Sequence, residues 1–205
     1  MASKWDELLE RNRVYAETKH QPKEFLGMAP VALPSVIIFA CLDFRASVEE
    51  FLDLKPDGKI MMHTVAAFRL SPVLTTMFMT EALVIRNLGG RVKSGLHALL
   101  FLEEVTRSQA LKEVVIIHHT NCGCSIQTTE GVRQSLKSKY PQMADEIDQL
   151  DFGTYKGGDL ENHNQVVRED IKLLQDSPLV REELKAHVRG YVFDIKTGKL
   201  SLVPQ

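Results

Sequence analysis

The sequence predicts an α/β fold: a mostly parallel central sheet flanked by helices and closed at one edge by a C-terminal hairpin. Three observations carry that prediction. Short apolar, β-branched runs at Ser35 to Ala40 (SVIIFA), Ala82 to Ile85 (ALVI) and Glu113 to Ile117 (EVVII) read as strands buried on both faces. Helical patterns alternate with these runs, the order that wraps a parallel sheet. The chain then ends on VRGYVFDIKTGKLSLV, which alternates apolar and polar residues about Lys196-Thr197-Gly198, a hairpin signal.

From the N-terminus, Lys4 to Lys19 reads as an amphipathic helix with Trp5, Leu8, Leu9 and Tyr15 near one face, within an arm spanning 1–27. Ser47 to Leu54 and Lys93 to Arg107 suit helices after the first and second strands; Leu96, Leu99, Leu100 and Leu102 supply the apolar face of the latter. Further helices are expected at Thr128 to Lys139, Gln165 to Gln175 and Glu182 to Ala186, with Gly157-Gly158 in a loop. With no repeat or flexible linker, 1–205 reads as one domain. One stretch, 58–80, is apolar and rich in methionine, with only Lys59 and Arg69 charged. It reads either as an insertion that must be covered, since exposed it would be an apolar liability, or as an artefact of the gene model.

The composition narrows the function. The chain has 205 residues, 44% hydrophobic and 25% charged, with a formal net charge of −2. That is an ordinary globular balance, with no electrostatic pull toward nucleic acid or a membrane surface. No apolar run reaches the roughly 18 residues of a spanning helix. The N-terminus has no apolar signal region, and its acidic residues argue against a transit peptide, so the expected location is cytoplasmic. Three cysteines (Cys41, Cys122, Cys124) do not make a disulfide framework.

The chemistry gathers at the strand ends. Cys41 closes the first run, and His119 and Cys122 form H-x-x-C after the third. Two thiols and an imidazole suit zinc and leave its fourth position open, the mark of a catalytic site; the same residues also allow a catalytic thiol or plain packing. In Cys41-x-Asp43-x-Arg45 an acid and a base stand two apart. Arg45 can keep Asp43 ionised as a hydrogen-bond acceptor, or Asp43 can cap the next helix while Arg45 is solvated. His118 reads as a structural histidine facing away from His119 or, as the alternative, a proton shuttle, and Cys124 as a packing residue. His63, His97, His163 and His187 show no pairing.

C-x-D-x-R after one buried strand, R-N-x-G (Arg86, Asn87, Gly89, with Gly90) after a second and H-x-x-C-G after a third together resemble the β-class carbonic anhydrases. The closing RGYVFDIKTGKL resembles that family's last strands. The resemblance implies hydration of CO2 to bicarbonate by attack of a zinc-bound hydroxide. Cys41, His119 and Cys122 would be the zinc ligands and Asp43 with Arg45 the catalytic dyad. Arg86, Asn87, Gly89, Gly90 and Gly123 would line the pocket, the glycines letting backbone approach the site. It also implies a homodimer or homotetramer.

Two features depart from the family pattern. Asn121 stands where relatives commonly carry an acidic or small residue, and Leu88 replaces a frequent Ala, so substrate preference is open. Relatives that hydrolyse carbonyl sulfide or carbon disulfide use the same zinc set on similarly linear molecules, and a zinc-bearing but inactive relative is a third reading. The second departure is the stretch 58–80, which lengthens the span between the first and second motifs.

Overall fold

The structure is a computed structural model and describes residues 3–20, 35–54, 58–59, 78–79, 82–105, 111–157 and 159–204. It divides into two units, Met1–Val31 and Ala32–Gln205. The first contains α1 (Lys4–Thr18), opened by a capping box: the Ser3 hydroxyl accepts from the Asp6 N–H and the Asp6 carboxylate from the Ser3 N–H. Lys4–Glu7 and Arg13–Glu17 pair along its surface at helical spacing.

In the second unit the three predicted runs are neighbouring strands. β1 (Val36–Cys41) is followed by a 3-10 turn (Phe44–Ala46) and a single helical turn, α2 (Val48–Phe51). β4 (Leu83–Asn87) leads through a second 3-10 turn (Leu88–Gly90) into α3 (Val92–Val105), and β5 (Glu113–His119) follows. Next come α4 (Thr129–Lys139), α5 (Ala144–Asp148), α6 (Leu160–Asp176), α7 (Glu182–Lys185), β6 (Val188–Asp194) and β7 (Lys199–Leu202). The sheet order is β4-β1-β5-β6-β7, with only the β6–β7 pairing antiparallel. The stretch 58–80 lies outside the described residues except for β2 (Gly58–Lys59) and β3 (Phe78–Met79). These pair antiparallel, Gly58 with Met79 and Lys59 with Phe78, so the two ends of the stretch are neighbours.

The alternation of a strand explains the core. Ile37 and Phe39 of β1 face one cluster with Leu99 of α3 and Val167, Ile171 and Leu174 of α6. Ile38 and Ala40 face the other, with Val48 and Phe193. A strand covered on both faces has no polar side to show, which is why β1 reads as an unbroken apolar run. β4 and β5 run two residues beyond their apolar stretches because Asn87 and His119 still hold the ladder, opposite Cys41 and Phe193. α6 starts earlier than its apolar periodicity suggests; Asp159 caps it by accepting from the Asn162 N–H at 3.0 Å.

The topology chooses the place of the site. The chain leaves β1 toward β4 on one side and leaves β5 toward β6 on the other. Between two adjacent parallel strands whose connections diverge, a crevice opens beyond their carboxyl ends. No helix of the described residues is long and apolar enough to cross a membrane.

Candidate metal centre

At that crevice β1 delivers Cys41 and β5 delivers His119, with Cys122 one tight turn later. The turn passes through Asn121 at φ 55°, a left-handed conformation that asparagine tolerates better than most residues. The ligating atoms of Cys41, His119 and Cys122 all lie within 4.8 Å of one another, and all three residues are buried. The two sulfurs are 3.8 Å apart. Two thiolates about 2.3 Å from a tetrahedral zinc stand about 3.8 Å apart, so their spacing already suits the ion.

His119 is oriented in the same sense. Its Nδ1 lies 3.0 Å from the Thr120 carbonyl, so Nδ1 carries the proton and donates it there. Nε2 is then a lone-pair nitrogen, buried and without a hydrogen-bond partner among the described residues. A buried polar atom with nothing to bond needs a reason, and a ligand is one. The Cys122 thiol and burial push the Cys41 thiol up to about 12. Cys122 is itself raised, first by the Cys124 thiol. Neighbouring buried thiols ionise readily only against a cation. Two soft sulfurs and one oriented imidazole nitrogen fit zinc.

The two readings of Asp43 turn out to be compatible. Its Oδ1 caps the 3-10 turn by accepting from the Arg45 N–H at 2.9 Å, while the same carboxylate takes the guanidinium: Nε to Oδ1 at 3.0 Å and Nη2 to Oδ2 at 2.5 Å. The Arg45 guanidinium holds the Asp43 carboxyl down to about 2, so it is ionised at neutral pH. Asp43 Oδ2 lies 3.9 Å from His119 Nε2, beside the ligand cluster. Arg45 is not simply solvated: its outer edge reaches the ligand loop at Asn121.

The R-N-x-G turn abuts the backbone of Cys41. Arg86 donates from Nη1 to the Cys41 carbonyl at 2.8 Å and pairs with Glu49, so its guanidinium anchors the ligand strand. Asn87 Nδ2 donates to the Arg91 carbonyl at 2.9 Å. Gly90 has φ 70°, and a Cβ there would sit 3.0 Å from the Cys41 nitrogen; Gly89 has φ 69°, and a Cβ there would sit 2.8 Å from the Gly153 oxygen. A side chain is strained at both positions by the positive φ, and at Gly89 it also meets backbone too closely to fit. At Gly123 a Cβ would meet nothing within 4 Å among the described residues. Gly123 opens a 3-10 turn in ordinary backbone, so its lack of a side chain leaves space and relieves no clash.

A second polar group escaped the sequence reading. Behind β5, His118 Nε2 lies 3.0 Å from Asp170 Oδ2, and Arg91 Nε reaches the same carboxylate at 3.0 Å; His118 and Asp170 are fully buried. The signal was present. His163, Val166, Val167, Asp170, Ile171 and Leu174 follow helical spacing and are all buried, so a carboxylate on that face demanded a cation. His163, without a pairing in the sequence, packs edge-on against Tyr155. Cys124 packs on the Cys41, Cys122 and Tyr155 cluster, as a packing residue should.

Known proteins with these features can now be compared. A family model described as carbonic anhydrase matches residues 36–200. The β-carbonic anhydrase 1 of Mycobacterium tuberculosis is 26% identical over 181 residues, covering 87% of this chain and 88% of its own. A carbon disulfide hydrolase of Acidianus sp. is 22% identical over 178 residues, covering 80% of this chain and 74% of its own. The crystal structure of a carbonic anhydrase from Streptococcus mutans superposes with a TM-score of 0.66 at 26% identity, covering 100% of this chain and 99% of that one.

Proposed function

The chain belongs to the β-carbonic anhydrase family, and on that premise we propose that it is a zinc enzyme converting CO2 and water to bicarbonate and a proton. The observation that carries the reading is the meeting of Cys41, His119 and Cys122 beside the ionised carboxylate of Asp43.

Zinc, when bound, lowers the pKa of a coordinated water to about 7 and so makes it nucleophilic at neutral pH. Cys41, His119 and Cys122 would hold the ion. Asp43, kept anionic by Arg45, accepts a hydrogen bond from the attacking oxygen and turns its lone pair toward the substrate carbon. The Thr120 carbonyl fixes which imidazole nitrogen of His119 faces the site, and Arg86 with Glu49 keeps the Cys41 carbonyl in place. We read the assembly as a homodimer or homotetramer, supported by Phe44, Leu42 and Leu88, apolar side chains at the rim that are 86%, 56% and 49% exposed. A reducing, cytoplasmic setting suits three free cysteines.

The carbon disulfide hydrolase among the relatives favours one second reading, hydrolysis of carbonyl sulfide or carbon disulfide by the same residues. Turnover of the zinc-loaded chain on CO2, on carbonyl sulfide and on carbon disulfide, in one preparation, decides between them. Fast CO2 hydration with negligible sulfide release is expected. Efficient sulfide release with sluggish CO2 hydration transfers the function to the second reading, and zinc-bound protein silent on all three substrates overturns both.

A further inference from the structure

The Arg45 guanidinium spans two loops far apart in sequence. One edge is on Asp43; the other donates from Nη1 to Asn121 Oδ1 and from Nη2 to the Asn121 carbonyl, both at 3.1 Å. The ion pair alone is poorly fixed, because the Arg45 side chain is 42% exposed and a solvated arginine loses much entropy when held in one rotamer. Asn121 supplies two acceptors from one residue, and its left-handed backbone lies between the candidate ligands His119 and Cys122.

We propose that Asn121 is a positioning residue for the reaction, holding Arg45, and through it the Asp43 carboxylate, in register with the ligand loop. This rests on the carbonic anhydrase reading for its kinetic consequence but not for its structural one. In physical terms, a hydrogen bond from a charged donor is worth about tenfold or more when it is made only in one geometry.

Asn121→Gly allows the left-handed backbone and keeps the carbonyl acceptor while removing the whole side-chain amide with its Oδ1; Asn121→Asp keeps an acceptor oxygen of the same shape. In the zinc-loaded protein, 15N–1H spectra of arginine side chains report the tether directly. The Arg45 Nη protons are expected as separate, slowly exchanging signals in the wild type and the Asp variant, and merged in the Gly variant. With zinc at one per chain throughout, kcat/KM for CO2 is expected to fall about tenfold in Asn121→Gly and to recover most of that loss in Asn121→Asp. Unchanged Arg45 signals in Asn121→Gly overturn the tether whatever the substrate proves to be. Freed Arg45 signals with unchanged kcat/KM overturn the positioning role, as does an equal loss of kcat/KM in both variants. A wild type inactive on CO2 counts against the proposed function and leaves the spectroscopic test standing.

Discussion

His118 and His119 are consecutive residues at the end of β5, both buried, and the alternation of the strand sends them to opposite faces. Behind the sheet, His118 Nε2 meets Asp170, whose carboxylate also takes Arg91, so charge is answered by charge from the chain itself. At the site, His119 gives its Nδ1 proton to a carbonyl and leaves Nε2 bare beside two thiols. His118 also has one bare nitrogen, Nδ1, so an unpaired ring atom alone does not make a site. The difference is company: Cys41, His119 and Cys122 form the only candidate metal-binding group among the described residues. One face spends its polar groups on stability, and the other holds them for a guest.

The contrast can be broken from either side. The largest effect is expected at the site: Cys41→Ser should abolish stoichiometric zinc and, with it, activity, while the metal-free chain melts near the wild-type temperature. Metal analysis beside thermal unfolding checks this, and full zinc occupancy in the variant removes Cys41 from the ligand set. Next in size is Asp170→Asn on the opposite face. It leaves the Arg91 charge, only 16% exposed, without its buried carboxylate. Removing one member of such a pair costs about 3 kcal/mol. Denaturant unfolding should show that loss with zinc per folded chain unchanged. A change below about 1 kcal/mol, or a loss of zinc with stability intact, means that the division of labour between the faces is wrong.

Much of this was legible in the sequence, and the rest was hidden for physical reasons. β1 and β5 announced themselves because strands covered on both faces must be apolar throughout, and the chemistry had to follow at their ends. The hairpin was visible in Lys196-Thr197-Gly198 because a tight turn needs a residue at positive φ, which Gly198 supplies at 69°. The first turn of α6 was missed because Leu160 to Asn164 is mostly polar, and its start is set by the Asp159 cap instead of by periodicity. The hold of Arg86 on the Cys41 carbonyl was not legible, because a motif gives position and not direction. The tie between Arg45 and Asn121 depends on one residue's left-handed backbone and on two loops meeting in space, which no local pattern encodes.

The smallest expected effect separates the two ion pairs by their exposure. Arg45 lowers the Asp43 carboxyl from 3.8 to about 2, so the folded chain binds that proton less readily than the unfolded chain does. The pair's stabilisation is therefore fully present above about pH 4 and is lost as pH falls through about 2. Because Arg45 is 42% exposed, solvent screens the pair and the contribution is small. Asp43→Asn removes the charge and keeps an oxygen to cap the turn. The metal-free wild type should be slightly more stable than this variant near neutral pH, with the gap closing as pH drops from about 4 toward 2. Urea unfolding of both proteins across that range measures the gap. A constant gap would mean that the carboxylate's charge contributes nothing through Arg45, and that Asp43 serves the fold only as a cap.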